Sequence, residues 1–167
     1  MRRKIGTFDA VQETMDQIGG NGALLVSGRQ GNPMTIGWGT MGIIWRMPVF
    51  VVLVRPSRFT FGLMEDCGEF TVNVPTGALA DQVAVCGSRS GRDIDKIREC
   101  GFTLGKAEAV SVPFLEECPV HYECRVIHRN DVSNANLDAE IVRSHYSSGD
   151  FHRVYFGEVL GVFREAG

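Results

Sequence analysis

Two short stretches of this chain concentrate side chains that bind anions. In RPSRFT at positions 55–60, Arg55 and Arg58 offer guanidinium donors and Ser57 and Thr60 offer hydroxyls, just ahead of a segment that reads as a helix. Guanidinium–phosphate bonds are charge-assisted, and the free amides of a helix start add partial positive charge, so such a turn suits a phosphate. The alternative is a solvated basic strand end with an ordinary N-cap. In GSRSGRDIDK at 87–96, Ser88, Arg89, Ser90, Arg92 and Lys96 offer further donors, tempered by Asp93 and Asp95, which can cap the next turn. Its order is not that of a Walker A loop, so ATP hydrolysis is not implied. A surface loop with capping serines is the competing account.

A third stretch, DFHRVYFGEV at 150–159, sets Asp150 and His152 before an alternating strand. His152 can stack on a ligand or donate to it, and Asp150 can orient the turn. A histidine at a strand start also serves structure alone. Ser90, His152 and Asp150 lie in no nucleophile-elbow context, so a hydrolytic triad is not supported.

Gly37, Gly39 and Gly42 spell G-x-G-x-x-G inside MTIGWGTMG. A dinucleotide fingerprint needs a helix after it, but Ile43 to Met47 is not amphipathic, Pro48 would break a helix, and VFVVLV reads as a buried strand. Nor does an acidic residue stand at the ribose-binding distance. These glycines instead mark backbone passing close to a flat ligand, or a β-bulge.

The elements that must position these residues are mostly strands. Apolar spacing predicts a helix over Phe8 to Ile18, stopped by Gly19 and Gly20. Strands follow at Ala23 to Gly28, through PMTIGWG, and at Val49 to Val54, with RQGN as a turn. A short helix at Thr60 to Cys67, a strand at Phe70 to Val74 and a helix at Leu79 to Cys86 come next. Later strands are expected at His121 to His128, Leu137 to His145 and Val154 to Phe163, while Gly101 to Pro119 is the least regular region and is expected over the barrel. Many strands with short helices predict a mainly β protein, a β-barrel carrying helical additions.

At 167 residues the chain fits a single domain spanning 1–167. A net charge of -3 gives nucleic acid no overall attraction. The five cysteines lack C-x-x-C or zinc-ligand spacing, and no helix-spaced histidine pair exists, so neither a disulfide framework nor a metal site is expected. The segment after MRRK contains acids and lacks an apolar core, and no apolar run spans a bilayer; a soluble, cytoplasmic protein with no membrane contact is expected.

Taken in order, MTIGWGTMG, VRPSRFT, FTVNVP, GSRSGRDIDK and DFHRVYFGEV resemble the flavin reductase-like, FMN-binding split-barrel family, particularly its flavoredoxin-like members, over roughly Ala23 to Val162. The resemblance implies a Greek-key split barrel, homodimeric, with FMN near the subunit interface. It implies that Thr35, Gly37, Trp38, Gly39, Thr40 and Met41 contact the isoalloxazine and ribityl parts. Arg55, Ser57, Arg58 and Thr60 would hold the phosphate or ribityl chain, and Ser88, Arg89, Ser90 and Lys96 would complete the anionic pocket. His152 would lie near the flavin or the nicotinamide, with no protein acid or base required for catalysis. Gly37 stands where relatives often carry a small hydroxyl residue, and Ser57 where a larger polar one is common. The chain ends soon after GEV, which implies an open or partner-covered flavin face. The activity implied is that of an NAD(P)H-dependent flavin oxidoreductase, using NADH or NADPH as donor. The alternative is a non-enzymatic FMN electron carrier serving a redox protein partner; a barrel for heme or pyridoxal phosphate matches these blocks less well.

Overall fold

A computed structural model describes residues 2–166. Its strands are β1 (Arg2–Lys4), β2 (Ala23–Ser27), β3 (Asn32–Ile36), β4 (Gly39–Ile44), β5 (Met47–Val54), β6 (Glu69–Val74), β7 (Leu104–Gly105), β8 (Phe114–Leu115), β9 (Val120–Asp131) and β10 (Arg153–Glu165). Its helices are α1 (Val11–Gly19), α2 (Phe59–Cys67), α3 (Ala80–Ser88), α4 (Lys96–Cys100) and α5 (Ala139–His145). One antiparallel sheet runs β3-β2-β6-β9-β10-β5-β4, with β1 added to the far end of β10. β3 and β4 end the path without pairing to each other, so the curled sheet stays split. This is the expected split barrel with short helices.

The G-x-G-x-x-G run leads into a hairpin: β4 pairs with β5 from Gly39↔Val52 to Ile44↔Met47. Trp45 and Arg46 make the turn with φ of 50° and 62°. Positive φ at both central residues matches the right-handed strand twist, although glycine or asparagine usually fills such positions.

Alternation along β2 and β6 builds two cores. On β2, Leu25 faces the barrel interior with Phe50, Phe70 and Tyr122, whereas Leu24 and Val26 face a second cluster with Val83, Cys86 and Leu115. Successive side chains of a strand point to opposite faces, and here both faces are covered. On β6, Phe70, Val72 and Val74 enter the barrel, and Thr71 and Asn73 work on the other side. There Thr71 Oγ1 donates to the Pro113 carbonyl (2.8 Å), and Asn73 Oδ1 accepts from the Leu115 amide (2.8 Å). These bonds fasten the irregular stretch 101–119 onto the sheet, as the sequence led us to expect. At the sheet's other end the Arg2 guanidinium reaches the fully buried Glu123 carboxylate (2.5 Å), which also accepts from the Glu108 and Ala109 amides.

One expected strand is a helix. Residues Leu137 to His145, predicted as a strand, form the end of a tight 3-10 turn region and then α5. The physical reason is Asp138, whose Oδ1 accepts from the amides of Glu140 (2.8 Å) and Ile141 (3.4 Å) and so nucleates the helix start. Arg143 and Glu140 then pair across one turn. The first helix begins at Val11, not Phe8, because residues 7–10 form a turn in which Asp9 accepts from the Gly6 amide.

His121 is fully buried, and its Nε2 meets the Leu115 carbonyl (2.9 Å) while Nδ1 has no partner. Burial lowers its pKa to about 4, assisted by the Arg2 charge and opposed by the Leu115 carbonyl, Glu165 and Glu123. The unfolded chain therefore takes up a proton near pH 6.5 that the native state refuses until about pH 4. Stability is full above the upper value and is lost as pH falls through the window, by roughly 3 kcal/mol for this group. His121→Gln, which keeps a donor for Leu115, should flatten the decline of melting temperature between pH 6.5 and 4; an unchanged slope would contradict this role.

Candidate functional site

The two stretches expected to bind an anion converge. β5 delivers Arg55 at its end, and the following turn leads through Ser57 and Arg58 into α2. α3 runs into the loop at 89–95, which ends where Asp95 caps α4 through the Arg98 amide (3.2 Å). The Ser57–Arg58 turn and this loop enclose a pocket of about 130 Å³, to which Thr60, Ser88, Arg89, Ser90, Arg92 and Lys96 contribute. The N-terminus of α2 borders it and has no side-chain cap, leaving backbone N–H groups for a ligand.

Arg58 also lines an adjoining cleft of about 220 Å³ whose walls are apolar and aromatic, with Met34, Ile36, Trp38 and Leu53 among them. Thr35, Gly37, Arg55 and His152 complete it. A Cβ at Gly37 would meet no protein atom within 4 Å, so packing does not require glycine there and the cleft stays open beside it. Gly39, Thr40 and Met41 line neither space. Gly39 packs against the Val51 carbonyl, Thr40 is exposed on β4, and Met41 leans on the barrel core.

Most of the predicted side chains already have partners in the fold, some as donors and some as acceptors. Thr35 Oγ1 donates to the Val83 carbonyl (2.5 Å), fastening α3 to β3. Ser88 Oγ donates back to the Ala84 carbonyl (2.8 Å), and Ser90 Oγ accepts from the Arg92 amide (3.1 Å). Thr60 Oγ1 accepts from Asn32 (3.1 Å), and Arg89 pairs with Glu99 (2.9 Å). Arg58 gives one guanidinium nitrogen to the Gly87 carbonyl (3.1 Å), and Arg92 gives one to the Ser57 carbonyl (3.1 Å), which leaves each with other donors.

Arg55 and Ser57, expected on the phosphate or ribityl chain, hold the protein's own backbone. The Arg55 guanidinium donates to the carbonyls of His145 (2.9 Å) and Asp150 (2.9 Å) and lies over the Tyr146 ring. Ser57 donates to Asp150 through both its amide (3.2 Å) and its hydroxyl (2.5 Å). The segment 145–152 is thereby pinned beside the cleft. There His152 packs against Trp38 at 5.0 Å, and its Nδ1 lies 2.7 Å from the Tyr146 hydroxyl. Burial, and then the nearby Arg55 charge, lower the His152 pKa to about 4, against the opposing pull of Asp150. At neutral pH the ring is uncharged. Tyr146 and Asn32 were absent from the sequence-based set; Tyr146 borders the misread strand, and nothing local to Asn32 signals its bond to Thr60.

Lys96 is the least exposed of the predicted cations, at 4%. Its ammonium donates to the carbonyls of Pro33 (3.0 Å) and Cys86 (2.9 Å), and burial lowers its pKa, with the Cys86 thiol opposing and the Arg58 charge assisting. An ammonium has three donors, so one is left for a ligand.

These features define an open split-barrel protein with an aromatic cleft leading into a cationic, hydroxyl-lined pocket. The chain belongs to the flavin reductase like domain family, whose model matches residues 15–166. An uncharacterized protein of Archaeoglobus fulgidus is 32% identical over 140 residues, covering 83% of this chain and 69% of that protein. An FMN-binding protein from Thermus thermophilus, solved with bound 1-cyclohex-2-enone, is 26% identical with a TM-score of 0.69, over 87% of this chain and 71% of its own. Flavoredoxin from Methanosarcina acetivorans shares the fold at 22% identity and a TM-score of 0.69, over 86% and 68%. Among the described residues no helix is long and apolar enough to cross a membrane.

Replacing Lys96 by Met would leave the Pro33 and Cys86 carbonyls without their donor. Stability should fall by roughly 2–4 kcal/mol on the scale of buried polar groups losing a charged partner. Urea unfolding without ligand checks this, and an unshifted midpoint would show that Lys96 does not bind the loop to the sheet.

Proposed function

We propose that the site binds FMN, its ring system in the cleft and its phosphate in the adjoining pocket, and that the protein is an NAD(P)H-dependent flavin oxidoreductase. The observation that carries this is the shared wall at Arg58: one cationic side chain borders both a cleft lined by Met34, Ile36, Trp38 and Leu53 and a pocket of guanidinium and hydroxyl groups. The donor set fits a phosphate monoester, since Arg58, Arg92 and Lys96 each keep unused donors and none is neutralised by a carboxylate among the described residues. Membership of the flavin reductase like domain family supports the same ligand.

Bound FMN supplies hydride acceptance from a reduced nicotinamide, chemistry that belongs to the cofactor. The chain's part is to hold and orient. Thr35 fixes β3 against α3, and Trp38 and Leu53 supply apolar surface for a ring. His152 stays neutral, its Nδ1 engaged with the Tyr146 hydroxyl and its ring on the cleft wall, so it orients a ligand without carrying charge. No side chain needs to gain or lose a proton in the transfer.

The purified protein should take up FMN with a visible flavin spectrum, and anaerobic NADH or NADPH should bleach it. A protein that takes up no FMN overturns the flavin assignment; FMN that binds but is reduced by neither nicotinamide overturns the reductase in favour of an electron carrier. Arg58→Ala should weaken FMN by about ten- to a hundredfold, the worth of a charged hydrogen bond, and riboflavin far less. Equal losses would remove the phosphate from Arg58.

We also infer a homodimer that buries Ile43 and Trp45, which are 62% and 56% exposed at the β4–β5 hairpin. Light scattering should give twice the chain mass, and Ile43→Lys with Trp45→Lys should return the monomer; an unchanged dimer would place the interface elsewhere.

A further inference from the structure

The loop that supplies most groups of the cationic pocket is bracketed by two thiols. Cys86 lies in the last turn of α3 and Cys100 ends α4, and between them come Ser88, Arg89, Ser90, Arg92 and Lys96. Cys86 belongs to the second core cluster and Cys100 packs against it. The two side chains are hydrogen-bonded, the Cys86 S–H donating to the Cys100 sulfur. Both are reduced, and nothing in binding a ligand uses either.

Their surroundings give them unequal roles. Cys86 is fully buried, whereas Cys100 is half-buried and within reach of a small solute. Burial raises the pKa of both thiols, that of Cys86 to about 12. At Cys100 the Cys86 S–H and the Lys96 and Arg89 charges act against burial, while Glu99 assists it. Cys100 is therefore the thiol that ionises and meets an oxidant first, and Cys86 is the one placed to resolve it. Cys67 provides a contrast: it too is half-buried, but it hydrogen-bonds the Ser111 hydroxyl (3.8 Å), which cannot form a disulfide. Cys118, fully buried in the same cluster as Cys86, is the competing partner.

We propose that Cys86 and Cys100 form a redox modification site, at which hydrogen peroxide converts the dithiol to a disulfide that closes the loop at its base. The Cys100 thiolate takes one oxygen of peroxide as the O–O bond breaks; the other oxygen leaves as water with the thiol proton, and Cys100 becomes a sulfenic acid. The Cys86 sulfur then bonds to the Cys100 sulfur, the S–O bond breaks, and the hydroxyl departs as a second water with the Cys86 proton. The sulfurs give up two electrons in all, and peroxide accepts them. A reduced flavin generates peroxide from dioxygen, so the function proposed above would supply the oxidant, but the cross-link needs only peroxide and stands without that reading. The disulfide joins the same two elements that Lys96 joins at the Cys86 carbonyl, adding a covalent tie to a hydrogen-bonded one.

The test is hydrogen peroxide added to the full chain without flavin, read by peptide mapping and by melting temperature. Cys86 and Cys100 should appear in one cross-linked peptide, and melting should rise by about 5–10 °C, the effect of closing a loop of this length. Dithiothreitol should reverse both changes. Cys100→Ser should form no disulfide and show no rise, while Cys67→Ser should cross-link like wild type. Cys86→Ala should hold Cys100 as a sulfenic acid that a dimedone probe labels. Should a variant fail to fold, the wild-type peptide map decides alone. A disulfide from Cys86 to Cys118, no disulfide at all, or a cross-link that leaves melting unchanged overturns the inference, and none of these bears on whether the protein binds FMN.

Discussion

The site depends on a lysine that water hardly reaches. Lys96 stands at the first position of α4, and its ammonium ties the Pro33 carbonyl of β3 to the Cys86 carbonyl of α3. Burying an ammonium is costly unless its donors are met, and two carbonyls from separate elements meet them. In return the loop at 89–95 is held at both ends, by α3 before it and by Lys96 after it. The arginines and serines of that loop face the turn after β5 only because this tie fixes where the loop starts and stops.

The tie works because β2 and β3 form a rigid floor. Leu24 and Val26 of β2 enter the cluster that seats α3, while Leu25 between them is part of the barrel interior. A one-residue slip of β2 would exchange these faces and unseat α3 together with the loop that follows it. Asn73 and Thr71 guard the same register from β6, since their bonds to stretch 113–115 exist only if they point outward. Packing in the two clusters thus sets the position of groups that never touch either core.

Much of this was legible in the chain. Apolar runs, continuous in β2 and β5 and interrupted in β6, β9 and β10, mark the strands, and RPSRFT and GSRSGRDIDK draw attention by residue type alone. What could not be read is which donors remain free. The Thr35 hydroxyl is taken by Val83, 48 residues away, and Ser57 by Asp150, 93 residues away. Such partners are chosen by tertiary structure, and no local pattern encodes them. The misread α5 has the opposite origin: Asp138 is a local signal that outweighed the β-branched pair Ile141 and Val142.

The committed donors still serve the site, as its framework. Asp150 adopts a φ of 55°, a conformation that costs an L-residue about 1–2 kcal/mol. Its carboxylate recovers this by accepting from both the amide and the hydroxyl of Ser57, and its carbonyl accepts from Arg55. The bend at Asp150 turns the chain from the exposed end of α5 into β10 and sets His152 against Trp38. Arg55 and Ser57 therefore shape the cleft wall through the segment that carries His152. Because these bonds form on folding, the ordering cost of the segment is met before any ligand arrives, and a bound ring meets a wall already in place.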